Sequence, residues 1–253
     1  MNWRVVAASD VGTSHIANGK GCEDSCWAQV DKTSSGQPIL SIFVADGAGS
    51  AAHGGNGAEL AIQAAAAFIA KKLELAEFGL SDELAVECCI EVREKIYAQA
   101  EAESLRARDF ACTFLGVICT QNSTLVMQLG DGGIVLDVGN GLEIPVVPMA
   151  GEYANMTHFI TDDDAITRLS TKLFPALASH VAVFSDGIQR LALNMATNTP
   201  HEPFFTPFFK VLESITPDNE SQLPQALISF LSGPAVNERT DDDKTLALAV
   251  RIC

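Results

Sequence analysis

The sequence is poor in basic residues. Its 253 residues contain 16 Lys and Arg against 32 Asp and Glu, which gives a formal net charge of −16. Since Lys and Arg provide most of the attraction to nucleic-acid phosphates and to anionic lipids, this imbalance argues against nucleic-acid and membrane partners. Apolar residues make up 47% of the chain. That fraction is too high for intrinsic disorder and is typical of a protein with a packed core.

The sequence also lacks a long uninterrupted apolar segment. The longest apolar run, residues 58–70, contains Glu59 and Gln63. It is shorter than the roughly 20 residues that cross a bilayer as a helix. At the N-terminus only a short apolar run precedes Asp10, which is too little for the core of a secretory signal. We therefore expect a cytoplasmic protein.

Cysteine and histidine are not arranged as metal or disulfide frameworks. The seven cysteines are an odd number, Cys22 and Cys26 are four residues apart, and no second pair at ligand spacing accompanies them. Zinc is therefore disfavoured, and we expect reduced thiols that act mostly as small core residues. The five histidines form no HxxxH or HxH pair.

Apolar runs predict an α+β fold. Seven strands are predicted, at residues 3–9, 39–45, 111–120, 124–129, 134–138, 180–185 and 245–252. Two helices, residues 58–76 and 81–104, follow the second strand, and four prolines predict short helices and loops within residues 199–224, which form either a lid or a packed flap. Strands that come in groups favour two antiparallel sheets packed as a sandwich, with helices outside. We predict a single domain over residues 1–253.

A glycine-rich segment after the second predicted strand resembles a dinucleotide-binding loop. Residues 47–52 have the pattern GxGxxA. A dinucleotide-binding unit also needs a parallel strand soon after its helix, whereas here a second helix follows. Dinucleotide binding is therefore disfavoured.

Aspartates follow several predicted strands. Asp-Gly occurs at Asp46, Asp131 and Asp186, and residues 241–243 are three aspartates directly before the last strand. Asp-Gly is common in hairpin turns, which is the alternative interpretation at Asp131, where strands flank a short turn on both sides. Helix-like sequence follows Asp46 and Asp186 instead. Carboxylates at such strand ends can meet at one rim of a sheet.

A convergence of these carboxylates would need cations. Like charges at one place repel and raise one another's pKa unless a cation neutralises them. Oxygen-only ligands select Mg²⁺ or Mn²⁺, and two such ions can clamp a phosphoryl group. From spacing alone, a metal site and a set of solvated turns both remain open.

The order of the acidic motifs resembles that of the metal-dependent type 2C serine/threonine protein phosphatases, in particular their compact bacterial branch. The resemblance extends over nearly the whole chain, and residues 151–155 add to it. The matching motifs are Glu23-Asp24, Asp46-Gly47, Gly130-Asp131, Ser185-Asp186-Gly187 and Asp242-Asp243-Lys244-Thr245.

The resemblance implies two antiparallel sheets flanked by pairs of helices, in α-β-β-α layers, and a two-metal site. It implies that Asp46 bridges two Mn²⁺ or Mg²⁺ ions and that the Gly47 carbonyl binds one of them. Asp186 and Asp242 would hold the other ion, and Asp131 a looser third one. Glu23 and Asp24 would lie close by.

The reaction that the resemblance implies is direct hydrolysis of phosphoserine or phosphothreonine. A hydroxide held between the two ions would attack the phosphorus, without a phosphoenzyme. The catalytic residues would be Asp46, Asp24 and Asp186, with Asp24 orienting the metal-bound water.

Three positions depart from the family's pattern. Gly19 stands where many members have a phosphate-binding Arg, so Lys20 or His15 is expected to contact the substrate. Ala48 stands where many have a candidate general-acid His, and His53 is the expected replacement. Asp243 stands where Asn is common, which we expect to be tolerated.

Two alternatives remain open at this level. The chain could be a weak or inactive relative that binds phosphoproteins without turnover, or a phosphatase of small phosphomonoesters. If it acts on proteins, its partners are a phosphoprotein and a cognate Ser/Thr kinase. We expect it to be a monomer.

Overall fold

The computed structural model describes residues 2–148 and 157–252. The motif at residues 151–155 therefore lies outside the described residues. The strands are β1 (Asn2–Asp10), β2 (Asp24–Lys32), β3 (Pro38–Asp46), β4 (Phe114–Cys119), β5 (Thr124–Leu129), β6 (Gly133–Asp137), β7 (Ser170–Phe174), β8 (His180–Phe184), β9 (Leu193–Asn194), β10 (Thr199–Pro200) and β11 (Lys244–Ile252). The helices are α1 (Thr13–Ala17), α2 (Gly54–Leu73), α3 (Asp82–Ala102), α4 (Ala165–Arg168), α5 (Gln189–Ala192), α6 (Glu202–Ser214), α7 (Leu223–Leu231) and α8 (Pro234–Asn237).

Two antiparallel sheets form the centre of the fold. One has four strands in the order β1-β11-β8-β6, and the other has five in the order β2-β3-β4-β5-β7. The short strands β9 and β10 pair separately. The predicted α+β sandwich is confirmed.

Apolar side chains fill three successive layers. Phe43 and Phe114 belong to the core between the five-stranded sheet and helices α2 and α3. Leu115 and Val183 lie in the core between the two sheets. On the other side, α6 and α7 cover the four-stranded sheet, where Phe205 is fully buried. In the described part of the chain, every helix is too short or too polar to span a bilayer.

The helices begin and pack as their sequences dictate. The Ser81 hydroxyl accepts the N–H of Leu84 and caps α3. Along α3, every fourth residue from Leu84 to Ile96 is apolar and buried. Pro207 does not break α6 but lies inside it, while Pro203 lies in its first turn, where no N–H is needed. Since α6 packs its apolar face on the sheet, the lid interpretation of this segment is wrong.

The seven predicted strands omit β2, β7 and the short strands β9 and β10, and one of the two interpretations of the turn at Asp131 fails. The two strands beside Asp131, β5 and β6, belong to different sheets and do not pair with each other. The hairpin alternative is therefore wrong, because this turn carries the chain from one sheet to the other. The antiparallel sheets also exclude the parallel unit that a dinucleotide site requires.

Candidate metal centre

The β2–β3 ladder brings two carboxylates together. Asp24, the first residue of β2, lies directly opposite Asp46, the last residue of β3. Directly paired residues project their side chains to the same face of a sheet. The backbone of Asp46 is held on its other side by Thr113, whose hydroxyl accepts the Asp46 N–H at 2.9 Å and whose N–H donates to the Asp46 carbonyl at 2.8 Å.

Gly47 continues this rim with its backbone close to two other segments. Its N–H donates to the Glu23 carbonyl at 3.1 Å. A Cβ at this position would lie 2.4 Å from the Gly54 carbonyl carbon and 2.7 Å from the Glu23 carbonyl oxygen. Only glycine fits here, so the start of α2 and the start of β2 both lie against the Asp46-Gly47 turn.

Two hydroxyls of the other sheet hold Asp24. Ser185 Oγ, at the end of β8, and Thr245 Oγ1, in β11, each donate to Asp24 Oδ2 at 2.7 Å. The Thr245 N–H donates in turn to Ser185 Oγ at 3.1 Å. The Asp24 carboxyl is thereby fixed where the rims of the two sheets meet.

The second sheet provides two further acids at the same rim. Asp186 follows β8, and Asp242 precedes β11, with its Oδ1 accepting the Asp243 N–H at 2.9 Å. These segments touch at Gly187, where a Cβ would lie 1.9 Å from the Asp243 carbonyl oxygen.

The carboxylates perturb one another strongly. Burial raises the pKa of Asp46 well above its ordinary value, and the charges of Asp24, Asp186 and Asp242 raise it further. Burial also raises the pKa of Asp24 to about 7, although the hydrogen bonds from Thr245 and Ser185 act in the opposite direction. The pKa of Asp186 rises to about 6, first through burial and then through the charges of Asp131 and Asp242.

Two carboxylate oxygens in this cluster have no partner within the protein. Among the residues that the structure describes, Asp24 Oδ1 and Asp186 Oδ1 are shielded from solvent without a hydrogen bond. A buried carboxylate oxygen without a donor is costly unless a cation faces it. The donor set is oxygen only, so the site fits hard divalent ions such as Mg²⁺ or Mn²⁺.

Asp131 lies at the edge of this cluster. Its Oδ2 accepts a hydrogen bond from the Thr157 hydroxyl, and its carbonyl accepts one from Gln189 Nε2 at 2.6 Å. A separate group comprises His158, Asp162 and Asp164, whose potential ligand atoms lie within 4.8 Å of one another. None of the sequence motifs quoted above includes that group.

The three residues expected to contact the substrate lie in different settings. Lys20 is exposed and its Nζ lies 3.3 Å from both carboxylate oxygens of Glu23. His15 Nδ1 lies 3.0 Å from Asp243 Oδ2. His53 stands directly before α2 and stacks on Phe110, with ring centroids 5.2 Å apart.

A comparison with protein families decides the assignment. The model of the family Protein phosphatase 2C matches residues 11–232. The chain belongs to this family. The family resemblance and the enzyme class expected from the sequence are thereby confirmed. Serine/threonine-protein phosphatase 3 of Escherichia coli strain K12 is a relative of this protein phosphatase 2C chain, 56% identical over 250 residues and covering 99% of each.

Solved structures share the protein phosphatase 2C fold at low sequence identity. The S. agalactiae serine/threonine phosphatase is 16% identical, with a TM-score of 0.66 over 98% of this chain and 99% of that one. The catalytic domain of the phosphatase PstP, in complex with two manganese ions, is 17% identical, with a TM-score of 0.62 over 99% of both chains.

Sequence reasoning did not find the groups that hold the acids. Ser185 and Thr245 stand inside the motifs quoted above, yet their hydrogen bonds to Asp24 depend on how the two sheets pack. Thr113 precedes β4 without any motif. Asp243, which is expected to be tolerated where Asn is common, is buried, with an exposed fraction of 3%.

Proposed function

We propose that this protein is a metal-dependent phosphatase that removes phosphate from phosphoserine and phosphothreonine in proteins, with two Mn²⁺ or Mg²⁺ ions and a third, looser one. The observation that carries the proposal is the group of acids with raised pKa, two of whose buried oxygens lack a partner in the described protein. The name of the Escherichia coli relative supports the substrate class. The manganese in the PstP complex supports the metal.

The proposed ligands are those that the family resemblance implies, and the meeting of these acids at one rim supports them. Asp46 would contact both main ions and the Gly47 carbonyl one of them, while Asp186 and Asp242 would hold the other and Asp131 the third. When bound, such ions offset the charge of the phosphoryl group and lower the pKa of a coordinated water, which provides the nucleophile.

The side chains around the ligands would position the reactants. The hydroxyls of Ser185 and Thr245 both donate to Asp24 Oδ2. Asp24 Oδ1 is therefore the oxygen that would accept a hydrogen bond from the attacking water. Lys20 would contact the substrate phosphate as a point charge, without the two-pronged geometry of Arg. Glu23, which Lys20 contacts, would hold that ammonium near the site.

A polar cleft beside Asp24 would bind the part of the substrate that adjoins the phosphate. It has a volume of about 410 Å³, and Asn56, His53 and Glu59 line it together with Glu23 and Asp24. His53 is the candidate to protonate the leaving oxygen. The proposal includes a monomer that opposes a cognate Ser/Thr kinase.

The test is hydrolysis of a phosphothreonine peptide and of 4-nitrophenyl phosphate, with Mn²⁺, with Mg²⁺ and with chelator. We expect turnover that requires metal and that falls by about a thousandfold or more in Asp46→Asn, since a ligand to both ions is lost. Asp218→Asn, on an exposed aspartate of the turn between α6 and α7, is the matched control and should keep wild-type activity.

Other outcomes of this test are decisive. Metal-dependent hydrolysis of 4-nitrophenyl phosphate with no action on any phosphopeptide would indicate an enzyme for small phosphomonoesters. Two ions bound in calorimetry with no turnover of either substrate would indicate a relative that binds phosphoproteins without hydrolysing them. Gly19 and Ala48 would then explain the lack of turnover. Full activity of Asp46→Asn would contradict the site assignment.

A further inference from the structure

Asp243 is a buried carboxylate on which three donors converge. Its Oδ1 accepts the Gly12 N–H at 2.6 Å, and its Oδ2 accepts the Glu23 N–H at 2.5 Å. His15 Nδ1 lies 3.0 Å from the same Oδ2. A carboxylate can accept all three hydrogen bonds, whereas an amide would turn donor hydrogens toward at least one of these donors.

The backbone of Asp243 touches the proposed metal ligands. Its N–H donates to Asp242 Oδ1 at 2.9 Å, and its carbonyl packs so closely on Gly187 that a Cβ there would lie 1.9 Å away. Asp243 therefore links the segment of Asp242 and the turn after Asp186 to the start of β2.

His15, in α1, contacts both segments that Asp243 connects. One ring nitrogen bonds to Asp243, and the other lies 3.8 Å from Glu23 Oε2. The backbone of α1 is tied to the same region, because the Ser14 N–H donates to the Asp241 carbonyl at 2.9 Å. The His15 side chain thus stands between two carboxylates, one on the segment before β2 and one on the segment before β11.

We infer that His15 is a positioning residue that acts through Asp243 and Glu23 to hold the start of β2 against the Asp242 segment. Without the imidazole, the carboxylates of Glu23 and Asp243 would lose the group that lies between them. Their repulsion would then favour separation of the segment before β2 from the segment before β11. Partners that orient metal ligands typically change metal affinity by about 10–100-fold when removed. This inference rests on the proposed metal-dependent function.

The experiment measures Mn²⁺ affinity by titration calorimetry, together with kcat and KM for a phosphothreonine peptide at saturating Mn²⁺. We expect His15→Ala to weaken Mn²⁺ binding about tenfold or more, with KM unchanged. His15→Asn should restore most of the affinity, because its amide N–H can reach the place of the Nδ1–H. His201→Ala, whose ring bonds to the Leu191 carbonyl, is the matched control.

A double variant separates this role from independent effects. If His15 acts through Asp243, His15→Ala combined with Asp243→Asn should bind Mn²⁺ no more weakly than Asp243→Asn alone. Losses of Mn²⁺ affinity that add up in the double variant would overturn the inference, and so would unchanged Mn²⁺ affinity in His15→Ala. A rise in KM alone would also overturn it, because it would assign His15 to substrate contact. If wild type itself neither binds Mn²⁺ nor turns over, the proposed function fails first.

Discussion

Replacing Asp24 by Asn should stabilise the metal-free protein. Burial, with added repulsion from Asp243 and Asp186, raises the pKa of Asp24 from 3.8 to about 7. Each pKa unit corresponds to about 1.4 kcal/mol, so an ionised Asp24 destabilises the fold by about 4 kcal/mol above pH 7. Asn has nearly the same shape and no charge. We expect Asp24→Asn to gain about 2–4 kcal/mol at pH 8 in chelator.

The gain should depend on pH with a definite sign. The folded state protonates Asp24 near pH 7 and Asp186 near pH 6, whereas the unfolded chain does so near 3.8. As the pH falls from 8 to 5, the folded state therefore binds more protons, and metal-free wild type becomes more stable. The advantage of Asp24→Asn should shrink by about 2–3 kcal/mol between pH 8 and pH 5.

Urea unfolding followed by tryptophan fluorescence at both pH values measures this difference. Asp10→Asn is the control of opposite sign, because Asp10 pairs at 3.2 Å with the fully buried Lys244. Breaking that pair should destabilise the protein by about 3 kcal/mol. The electrostatic reasoning would be refuted if Asp24→Asn in chelator were no more stable than wild type at pH 8. It would also be refuted if the stability advantage of the variant were the same at pH 5 as at pH 8.

Three further substitutions test other parts of the structure. Gly187→Ala would place a methyl group 1.9 Å from the Asp243 carbonyl oxygen, so we expect Mn²⁺ affinity to fall at least tenfold in calorimetry; wild-type affinity would contradict the tight contact. Ser185→Ala removes a donor to Asp24 and an acceptor for the Thr245 N–H and should cost about 1–3 kcal/mol in urea unfolding. Leu227→Ala, in the outer apolar layer, should cost about 2–4 kcal/mol while leaving Mn²⁺ affinity unchanged.

The strand-end aspartates could be predicted because their signal is local. Asp46 and Asp186 each end a run of buried apolar residues and precede helical sequence. A buried strand must end where polar residues begin, so the carboxylate position is readable from a few neighbouring residues. The sandwich followed from the grouping of such runs.

The pairing of Asp24 with Asp46 could not be derived in the same way. Strand β2 is only partly buried along most of its length and mixes acidic, polar and apolar residues, so periodicity did not reveal it. Only the family resemblance placed Asp24 near the metals. Similarly, the short turn at Asp131 looks like a hairpin in sequence, because nothing local shows that β5 and β6 join different sheets.

The site as a whole depends on contacts between distant parts of the chain. The β1–β11 ladder sets Asp10 opposite Lys244, and the β2–β3 ladder sets Asp24 opposite Asp46. The hydrogen bonds from Ser185 and Thr245 to Asp24 then join one ladder to the other. Asp24 and Asp46 belong to one sheet, whereas Asp186 and Asp242 adjoin strands of the other. All four carboxylates therefore meet only when both sheets are packed. Metal binding should therefore be linked to folding of the entire sandwich, because unfolding either sheet separates the acids.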